Sequence, residues 1–354
     1  MKNEWDGIGV MSGTSLDGID LAWCHFTRKE EGCWDYRIEK AVTVPYSDDF
    51  RQRLSNAQEL SALEYVKLNN GVAAIFAKAI NSWLSDGPRP DFIASHGHTV
   101  FHQPEIGLTT QIGNGAILAA QTKILTVCDF RTKDVALGGQ GAPLVPIGDE
   151  LLFGEYDACL NLGGFSNISY RVDNKRIAYD ISPSNMALNK LANLTGLPYD
   201  KDGQLSKSGQ ILPELLQQLN NLGYYHQQPP KSLGKEWFEN VFCPVLESFL
   251  VNNAISDVAR TVVEHIAMQI VANVPEKAQT MLITGGGAHH AFLIQQIQYQ
   301  RDSLKVIVPD NLIVDYKEAL IFAFLGLLRL EGETNCLLSV TGACEDCCGG
   351  CVYL

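Results

Sequence analysis

The chain has 354 residues, of which 46% are hydrophobic and 19% are charged, and its formal net charge at pH 7 is −13. This composition is typical of a folded globular protein, and the length allows two domains. The negative charge argues against a broadly basic surface of the kind that binds nucleic acids or anionic membranes, although backbone N–H groups and one local cation can still hold a phosphate.

Short apolar runs alternate with helical patterns along the chain, which predicts an α/β protein. The longest apolar run, residues 319–328, has about half of the roughly 20 residues that a membrane span needs, so it predicts a buried helix. Helices are predicted over residues 258–271 and 317–330. Buried strands are predicted over residues 8–11, 92–95, 124–128, 158–162, 281–284 and 306–308.

Two separate segments, residues 7–26 and 157–171, share one design, in which a strand leads through a glycine-containing turn into another strand. A third glycine turn, residues 284–288, follows a buried strand and precedes a helix. This repetition predicts a duplicated, two-lobed nucleotide-binding fold. Two unrelated hairpins are the alternative.

The first turn has the sequence MSGTSLDGID over residues 11–20. Its glycines allow close backbone approach, and its N–H and hydroxyl groups can surround phosphate oxygens. Asp17 and Asp20 offer carboxylates for a hydrated Mg²⁺ ion. The segment lacks the Gly-Lys-Ser/Thr ending of a Walker loop. Judged alone, such a segment is more often a simple hairpin turn.

Polar residues at the end of a predicted strand, residues 95–99 (SHGHT), favour a crevice that binds a ligand. Residues 111–115 (QIGNG), together with Asp129, Arg131 and Asp134, add the amides, carboxylates and guanidinium that bind a hydroxylated, carboxylate-bearing sugar. Turns and surface ion pairs are the alternative for each segment. The two histidines could also suggest a metal, but no Cys or carboxylate partner is obvious near them.

Asp180 is predicted to lie at a strand-to-helix turn, just before residues 181–185. A carboxylate at such a turn can reach a ligand and be partly desolvated, which suits a general base. The alternative is that Asp180 or Ser182 only caps the following helix.

Four cysteines lie within the last residues of the chain, over positions 344–351. Their two overlapping Cys-x-x-Cys pairs suggest zinc or an iron–sulfur cluster, but structural sites usually draw ligands from separated segments, which favours a group of free thiols. The other six cysteines are scattered and no export signal accompanies them, so we predict a reducing, cytoplasmic location.

Together these segments resemble the anhydro-N-acetylmuramic acid kinase family, a branch of the superfamily that includes sugar kinases and actin. The resemblance covers residues 8–343 and implies an α/β fold of the two-lobed actin-like ATPase (ribonuclease H-like) class, with mixed β-sheets flanked by helices and a central nucleotide cleft. It rests on residues 11–20, 95–99, 111–115, 129–131, 138–146 (GGQGAPLVP), 161–167 (NLGGFSN), 202–206 (DGQLS), 284–287 (TGGG), 317–319 (KEA) and 339–343 (SVTGA).

The resemblance implies an ATP- and Mg²⁺-dependent enzyme of peptidoglycan recycling and amino-sugar catabolism. Such an enzyme opens the 1,6-anhydro bridge of anhydro-N-acetylmuramic acid with water and phosphorylates the freed O6. It would be a homodimer, with no nucleic-acid or membrane partner.

The resemblance also implies roles for individual residues, with Asp180 as the catalytic base. His98, Asn114, Arg131 and Glu318 would bind the sugar, and Asp17 would bind Mg²⁺. The nucleotide would be bound by Ser12, Gly13, Thr14, Ser15, Asp17, Gly18, Gly163, Gly164, Gly285, Gly286 and Gly287.

The chain departs from the family around the base, where the family reads Asp-Thr-Gly-Pro-Gly-Asn and residues 180–185 read Asp-Ile-Ser-Pro-Ser-Asn. Two alternatives therefore stay open: a kinase of the same fold that phosphorylates another amino sugar without bridge opening, and a catalytically impaired nucleotide-binding regulator. The predicted lobes are residues 1–135, with the tail 335–354 packed on them, and residues 136–334.

Overall fold

The computed structural model of the chain describes residues 2–13, 16–29, 33–85 and 87–354. The chain forms two compact units. The first comprises Met1–Gly154 and Tyr316–Leu354, and the second comprises Glu155–Asp315. These limits differ from the predicted lobes at both crossings between the units.

Strands and helices alternate throughout the described residues. The strands are β1 (Glu4–Ser12), β2 (Gly18–Arg28), β3 (Trp34–Pro45), β4 (Phe92–Gln103), β5 (Leu108–Ile112), β6 (Leu125–Cys128), β7 (Ala158–Leu162), β8 (Phe165–Val172), β9 (Lys175–Pro183), β10 (Thr280–Thr284), β11 (Lys305–Ile307) and β12 (Cys351–Tyr353). Each of the six predicted strands is confirmed. The last of them, β11, is not buried as predicted, because it is the edge strand of its sheet and its residues are exposed or only partly buried.

The helices are α1 (Asp48–Ser55), α2 (Ala62–Leu84), α3 (Gly115–Thr122), α4 (Thr132–Ala136), α5 (Pro146–Leu151), α6 (Asn185–Asn193), α7 (Gln204–Lys207), α8 (Pro213–Asn220), α9 (Lys235–Trp237), α10 (Cys243–Leu250), α11 (Ile255–Asn273), α12 (Ala291–Gln300), α13 (Asn311–Glu331) and α14 (Leu338–Thr341). The two predicted helices correspond to α11 and α13. Among the described helices, none is long and apolar enough to cross a membrane.

Each unit contains one mixed sheet, and the two sheets share a strand order. In the first, β3, β2 and β1 are antiparallel and β4 and β6 continue in parallel to β1, with β12 at the edge and β5 beside β4. In the second, β9, β8 and β7 are antiparallel, and β10 and β11 continue in parallel to β7. This repeated order confirms the predicted actin-like, mixed α/β class and excludes two unrelated hairpins.

The packing of α13 explains where the units divide. Gly9 of β1 has no side chain, and the carbonyl of Ala319 occupies that space, since a Cβ on Gly9 would lie 1.7 Å from the carbonyl oxygen. Further along α13, Gly326 packs against Ala94 of β4 in the same way. The chain from Tyr316 onward therefore belongs to the first unit. Residues 136–154 also belong there, because α5 packs against Ile321 through Gly148.

The core of the second unit is built around α11. Val258, Val262, Ile266 and Ile270 recur at helical spacing and are fully buried. They lie in one apolar cluster with residues of β7, β9 and α6. Burial of apolar surface contributes a free energy of about 25 cal/mol per Å². For this face of α11, that contribution offsets the conformational entropy lost when the helix becomes ordered.

The tail is part of the first sheet. Strand β12 pairs antiparallel with β6, with Cys351 opposite Cys128. Ahead of it, Cys347 forms an antiparallel backbone bridge with Cys336. The C-terminal residues therefore add an edge strand to the sheet and are integrated into its hydrogen bonding.

Candidate active site

The first glycine turn connects β1 to β2, and its leading residue is held in place by two side chains. Ser12 is buried, and its Oγ accepts a hydrogen bond from the hydroxyl of Tyr46 at 2.7 Å and lies 3.1 Å from Nδ1 of His98. Burial raises the pKa of Tyr46 to about 12, so its hydroxyl keeps the proton that it donates. The contact by Tyr46 was not predicted, because it comes from a separate segment after β3.

The remaining predicted phosphate-binding residues of this turn differ in their surroundings. The carbonyl of Gly13 accepts the N–H of Leu16 at 3.3 Å. Asp17 is exposed, and no hydrogen bond to its carboxylate comes from the described part of the chain. Gly18 is pressed against β3, where a Cβ would lie 2.5 Å from the carbonyl oxygen of Val44. Close pairing with β3 therefore requires a glycine at position 18, and contact of its backbone with a nucleotide stays a prediction. The predicted ligands Thr14 and Ser15 lie outside the described residues.

Arg131 is bound tightly to a histidine that was not among the predicted site residues. Its Nε and Nη2 atoms lie 3.0 and 2.9 Å from Nε2 of His96, and its Nη1 donates to the carbonyl of Gly141 at 2.6 Å. Because two guanidinium donors face Nε2, this atom must accept, and the imidazole proton lies on Nδ1, which faces the carbonyl of Gly97 at 3.0 Å. The only sequence signal for His96 was the first histidine of the 95–99 motif.

This contact sets the charges of both groups. Burial, and then the positive charge of Arg131, lowers the pKa of His96 well below its usual value, so the imidazole is neutral. Burial also lowers the pKa of Arg131 to about 10, which still leaves the guanidinium charged at neutral pH. The guanidinium of Arg131 thus stays charged, and the neutral imidazole of His96 fixes its position in the first unit.

Glu318, another predicted sugar ligand, projects from α13 with an exposed side chain. The pKa of its carboxyl is raised, chiefly because the surrounding protein removes water from around the charged form. The positive charge of Arg131 opposes this rise, and the negative charge of Asp20 adds to it. Water that reaches the side chain limits the size of this shift. The charge of Arg131 therefore acts on Glu318, and the contact of these two residues with a shared sugar stays a prediction.

The other two predicted sugar ligands already have structural partners. Asn114 is the N-cap of α3, with Oδ1 accepting the N–H groups of Ala116 and Ile117 at 3.0 and 3.3 Å. Its Nδ2 donates to Asn70. His98 is buried, and burial lowers its pKa. Contact of either residue with a sugar stays a prediction.

In the second unit, the turn between β7 and β8 closes over the start of α6. The carbonyl of Gly164 accepts the N–H groups of Ser184 and Met186 at 2.8 and 3.2 Å, and the carbonyl of Gly163 accepts that of Asn185 at 3.1 Å. These amides are therefore not available to a phosphate. The N–H of Gly164 has no acceptor among the described residues, so it remains available for one.

Asn185 joins this turn to the third glycine segment. Its Nδ2 donates to the carbonyl of Leu162 at 3.0 Å, and a Cβ on Gly287 would lie 2.8 Å from its Oδ1. Gly285 has a φ of +83°, and a Cβ there would lie 2.9 Å from the same carbonyl of Leu162. The structure thus brings residues 163–164 and 285–287 together at the carboxyl ends of parallel neighbours β7 and β10, where α/β sheets bind ligands.

The position of Asp180 differs from the predicted one. Strand β9 continues to Pro183, so Asp180 lies within the strand and not at its end. The N-cap of α6 is Ser184, which caps without its side chain, and Ser182 directs its hydroxyl to the carbonyl of Pro183. The alternative that Asp180 or Ser182 is only a helix cap is therefore wrong.

The segment that follows α8 surrounds Asp180 instead. The backbone N–H of Leu233 donates to its Oδ2 at 2.9 Å, and the hydroxyl of Tyr224 donates to its carbonyl at 2.6 Å. Its own N–H donates to the carbonyl of Lys231 at 3.3 Å. Burial raises the pKa of Asp180, and the N–H of Leu233 opposes that rise. Within the described residues Oδ1 receives no hydrogen bond, so this atom is available to accept a proton.

Comparison with known proteins agrees with the motifs. The sequence profile of the family described as anhydro-N-acetylmuramic acid kinase matches residues 6–354. The chain belongs to this family. The anhydro-N-acetylmuramic acid kinase of Vibrio vulnificus strain CMCP6 is 36% identical over 98% of the chain and 97% of its own length. That of Actinobacillus pleuropneumoniae serotype 7 is 33% identical over 98% of both chains. The predicted enzyme class, a kinase of sugar metabolism that uses a nucleotide, is confirmed.

Solved structures show weaker similarity. Component A of the Acidaminococcus fermentans (R)-2-hydroxyglutaryl-CoA dehydratase has a TM-score of 0.43 at 10% identity, covering 90% of this chain and 96% of its own. A ROK family glucokinase from Streptomyces griseus, in complex with glucose and AMPPNP, has a TM-score of 0.38 at 15% identity, covering 90% and 97%. The assignment of the fold rests on the repeated sheet order.

Proposed function

We propose that this member of the kinase family opens the 1,6-anhydro bridge of 1,6-anhydro-N-acetylmuramic acid with water and phosphorylates O6 from ATP. The products are N-acetylmuramic acid 6-phosphate and ADP, in peptidoglycan recycling. The observation that carries this proposal is the environment of Asp180. One carboxylate oxygen is fixed by the N–H of Leu233, whereas the other receives no hydrogen bond from the described residues.

In the proposed reaction, Oδ1 of Asp180 accepts a proton from the water whose oxygen attacks C1. The bond between C1 and O6 breaks, O6 forms a bond to the γ-phosphorus, and ADP leaves. A raised pKa makes the carboxylate a stronger base, provided that it is ionised at the working pH. Its Oδ2 keeps the orientation of the carboxylate through the contact with Leu233.

We assign sugar binding to Arg131, Glu318, His98 and Asn114. The guanidinium of Arg131 carries the charge that suits the lactyl carboxylate of a muramic acid, and its contact with His96 fixes its orientation without neutralising it. Glu318 suits the sugar hydroxyl groups, which donate hydrogen bonds to a carboxylate.

We assign the nucleotide to the three glycine segments, through Ser12, Gly13, Thr14, Ser15, Asp17, Gly18, Gly163, Gly164, Gly285, Gly286 and Gly287. Asp17 fits a Mg²⁺ ligand better than Asp20, because Asp17 is exposed whereas Oδ1 of Asp20 accepts the hydroxyl of Thr43 at 2.6 Å. When bound, Mg²⁺ supplies charge neutralisation of the transferring phosphoryl group.

Product analysis in ¹⁸O-labelled water tests the proposal. Incubation with ATP, MgCl₂ and the anhydro sugar should give a product that has gained both water and phosphate, with the label on C1. A product of another amino sugar that gains phosphate alone would support the kinase without bridge opening. ATP binding without formation of ADP would support the impaired regulator.

We also propose, from the family resemblance alone, that the protein is a homodimer, and, from its scattered cysteines, that it is cytoplasmic. Light scattering coupled to size-exclusion chromatography tests the dimer, and a mass equal to one chain of 38.9 kDa would contradict it.

A further inference from the structure

Three buried side chains with metal-binding atoms meet in the first unit. They are Asp134 of α4, Cys336 after α13, and Cys347 of the tail, and their ligand atoms all lie within 4.8 Å of one another. We propose that they form a binding site for a thiophilic divalent cation, Zn²⁺. Neither the family assignment nor the proposed reaction gives these residues a function.

This cluster differs from the site that the tail motif suggested. Cys347 points inward to Asp134 and Cys336, whereas Cys344 and Cys351 are exposed. The ligands therefore come from two regions that lie 202 residues apart, α4 and the C-terminal segment that contains both cysteines. In structural zinc sites one ion likewise ties separate parts of the chain together. The Cys-x-x-Cys pairs of the tail therefore do not form this site, which contains only one of their cysteines, Cys347.

The ligand chemistry fits zinc. Zn²⁺ binds thiolates and carboxylates tetrahedrally, with neighbouring ligand atoms about 3.3–3.8 Å apart. In the structure Sγ of Cys336 donates to Oδ1 of Asp134 at 3.0 Å, so a small separation of these atoms admits the ion. No further thiol, imidazole or carboxylate of the described residues joins the cluster, which leaves the fourth position for water.

The backbone holds the ligands together without using their ligand atoms. The N–H of each bridging cysteine donates to the carbonyl of the other at 3.0 Å. Next to them, the side chain of Asn335 accepts the N–H of Gly349 at 2.7 Å and donates to its carbonyl at 2.9 Å. The fold therefore already holds the two cysteines side by side, and zinc binding does not have to bring them together.

Asp134 is oriented as carboxylate ligands are in metal sites, by hydrogen bonds from outer groups. Its Oδ2 accepts the N–H of Gly141 at 2.7 Å, and its Oδ1 accepts the hydroxyl of Thr341 at 2.7 Å. Such outer contacts fix the direction of ligand lone pairs and strengthen binding.

Charge and proton balance complete the argument. Binding of Zn²⁺ releases one proton from each of two thiols, and two thiolates, one carboxylate and the ion sum to a charge of −1. Arg131 and Lys133 lie close enough to interact with the cluster and offset that charge.

The test measures zinc in the full chain. Protein equilibrated with zinc chloride and then dialysed should hold about one ion per chain by elemental mass spectrometry. Substitution of cobalt(II) should give thiolate charge-transfer absorption. Cys347→Ser should lower zinc affinity at least about tenfold, measured against a chromophoric chelator. The double variant Cys344→Ser/Cys351→Ser is the matched control and should retain the affinity of the wild type.

The wild-type measurements need no variant, so a failure of Cys347→Ser to fold would not affect them. Wild-type protein that retains no zinc and shows no cobalt–thiolate absorption would overturn the proposal and leave the cluster as a hydrogen-bonded part of the core. Zinc that is lost from the Cys344/Cys351 variant but kept by Cys347→Ser would also overturn it, in favour of a site within the tail.

Discussion

The backbone N–H of Leu233 donates to Oδ2 of Asp180 at 2.9 Å, although 53 residues separate the two positions. This contact fixes one oxygen of the carboxylate. Because it stabilises the ionised form, it opposes the rise in pKa that burial causes. Two predictions follow from the role that we propose for this carboxylate.

Asp180→Asn should abolish bridge opening and phosphorylation together, because the amide cannot accept a proton from water. General-base catalysis contributes about 10²–10⁴-fold, so we expect kcat to fall by at least about 10²-fold. The affinity for ATP should change little. The exposed Asp173→Asn variant, in the hairpin between β8 and β9, is the control. Phosphorylation of the anhydro sugar by Asp180→Asn at nearly the wild-type rate would mean that another group is the base.

Leu233→Pro should move the acidic limb of kcat/KM to higher pH. The base is active when ionised, so activity decreases as the pH falls through its pKa, and loss of the Leu233 N–H raises that pKa further. A lost hydrogen bond to a charge corresponds to a shift of about one pH unit. Tyr224→Phe is the control, because it removes a hydrogen bond to the backbone carbonyl of Asp180 and leaves the carboxylate unchanged. The acidic limb of its kcat/KM profile should stay at the wild-type pH. Equal shifts in both variants would count against the assignment.

Ser184→Ala should stabilise the protein. The hydroxyl of Ser184 is buried and has no hydrogen-bond partner among the described residues, and such a group costs roughly 1–3 kcal/mol. We expect the free energy of unfolding in urea to rise by about 1 kcal/mol. Ser182→Ala is the matched comparison, because Ser182 is equally buried but donates to the carbonyl of Pro183 at 2.9 Å. It should destabilise, and the same sign for both variants would contradict the assignment.

His96→Phe should raise the KM for the sugar about 10–100-fold and leave the KM for ATP nearly unchanged. The variant keeps the ring that packs on Phe322 but removes the acceptor of the Arg131 guanidinium, a charged hydrogen bond of about 1.5–3 kcal/mol. His102→Phe, on the same strand, is the control. An increase confined to the KM for ATP would show that Arg131 does not act on the sugar.

Deletion of residues 348–354 should lower the free energy of unfolding by more than about 2 kcal/mol. It removes β12 from the sheet and leaves the buried side chain of Asn335 without the backbone of Gly349. Substitution of the exposed Leu354 by Ala should have no measurable effect. Unchanged urea midpoints for the truncated chain would show that the edge strand contributes little.

The sequence alone was sufficient for the class of fold, the strands that carry the glycine turns, the long helices α11 and α13, and the family. It did not predict α2, which has 23 residues. The features that it did predict depend on local patterns, such as runs of apolar residues and short motifs. Such patterns can be recognised in the sequence without knowing how the segments pack. The identity of Asp180 as the candidate base came from its motif, but its place within β9 did not, because strand ends depend on pairing with β8.

Tertiary structure alone decided the contacts that give the site its chemistry. His96 meets Arg131 across 35 residues, and Asp134 meets Cys336 across 202. It also decided where the units divide, because the packing of Gly9 and Gly326 against neighbouring backbone and side chains draws α13 onto the first sheet. Such contacts arise when distant segments are buried together. A one-dimensional pattern records which residues will be buried, and it does not record which partners they will meet.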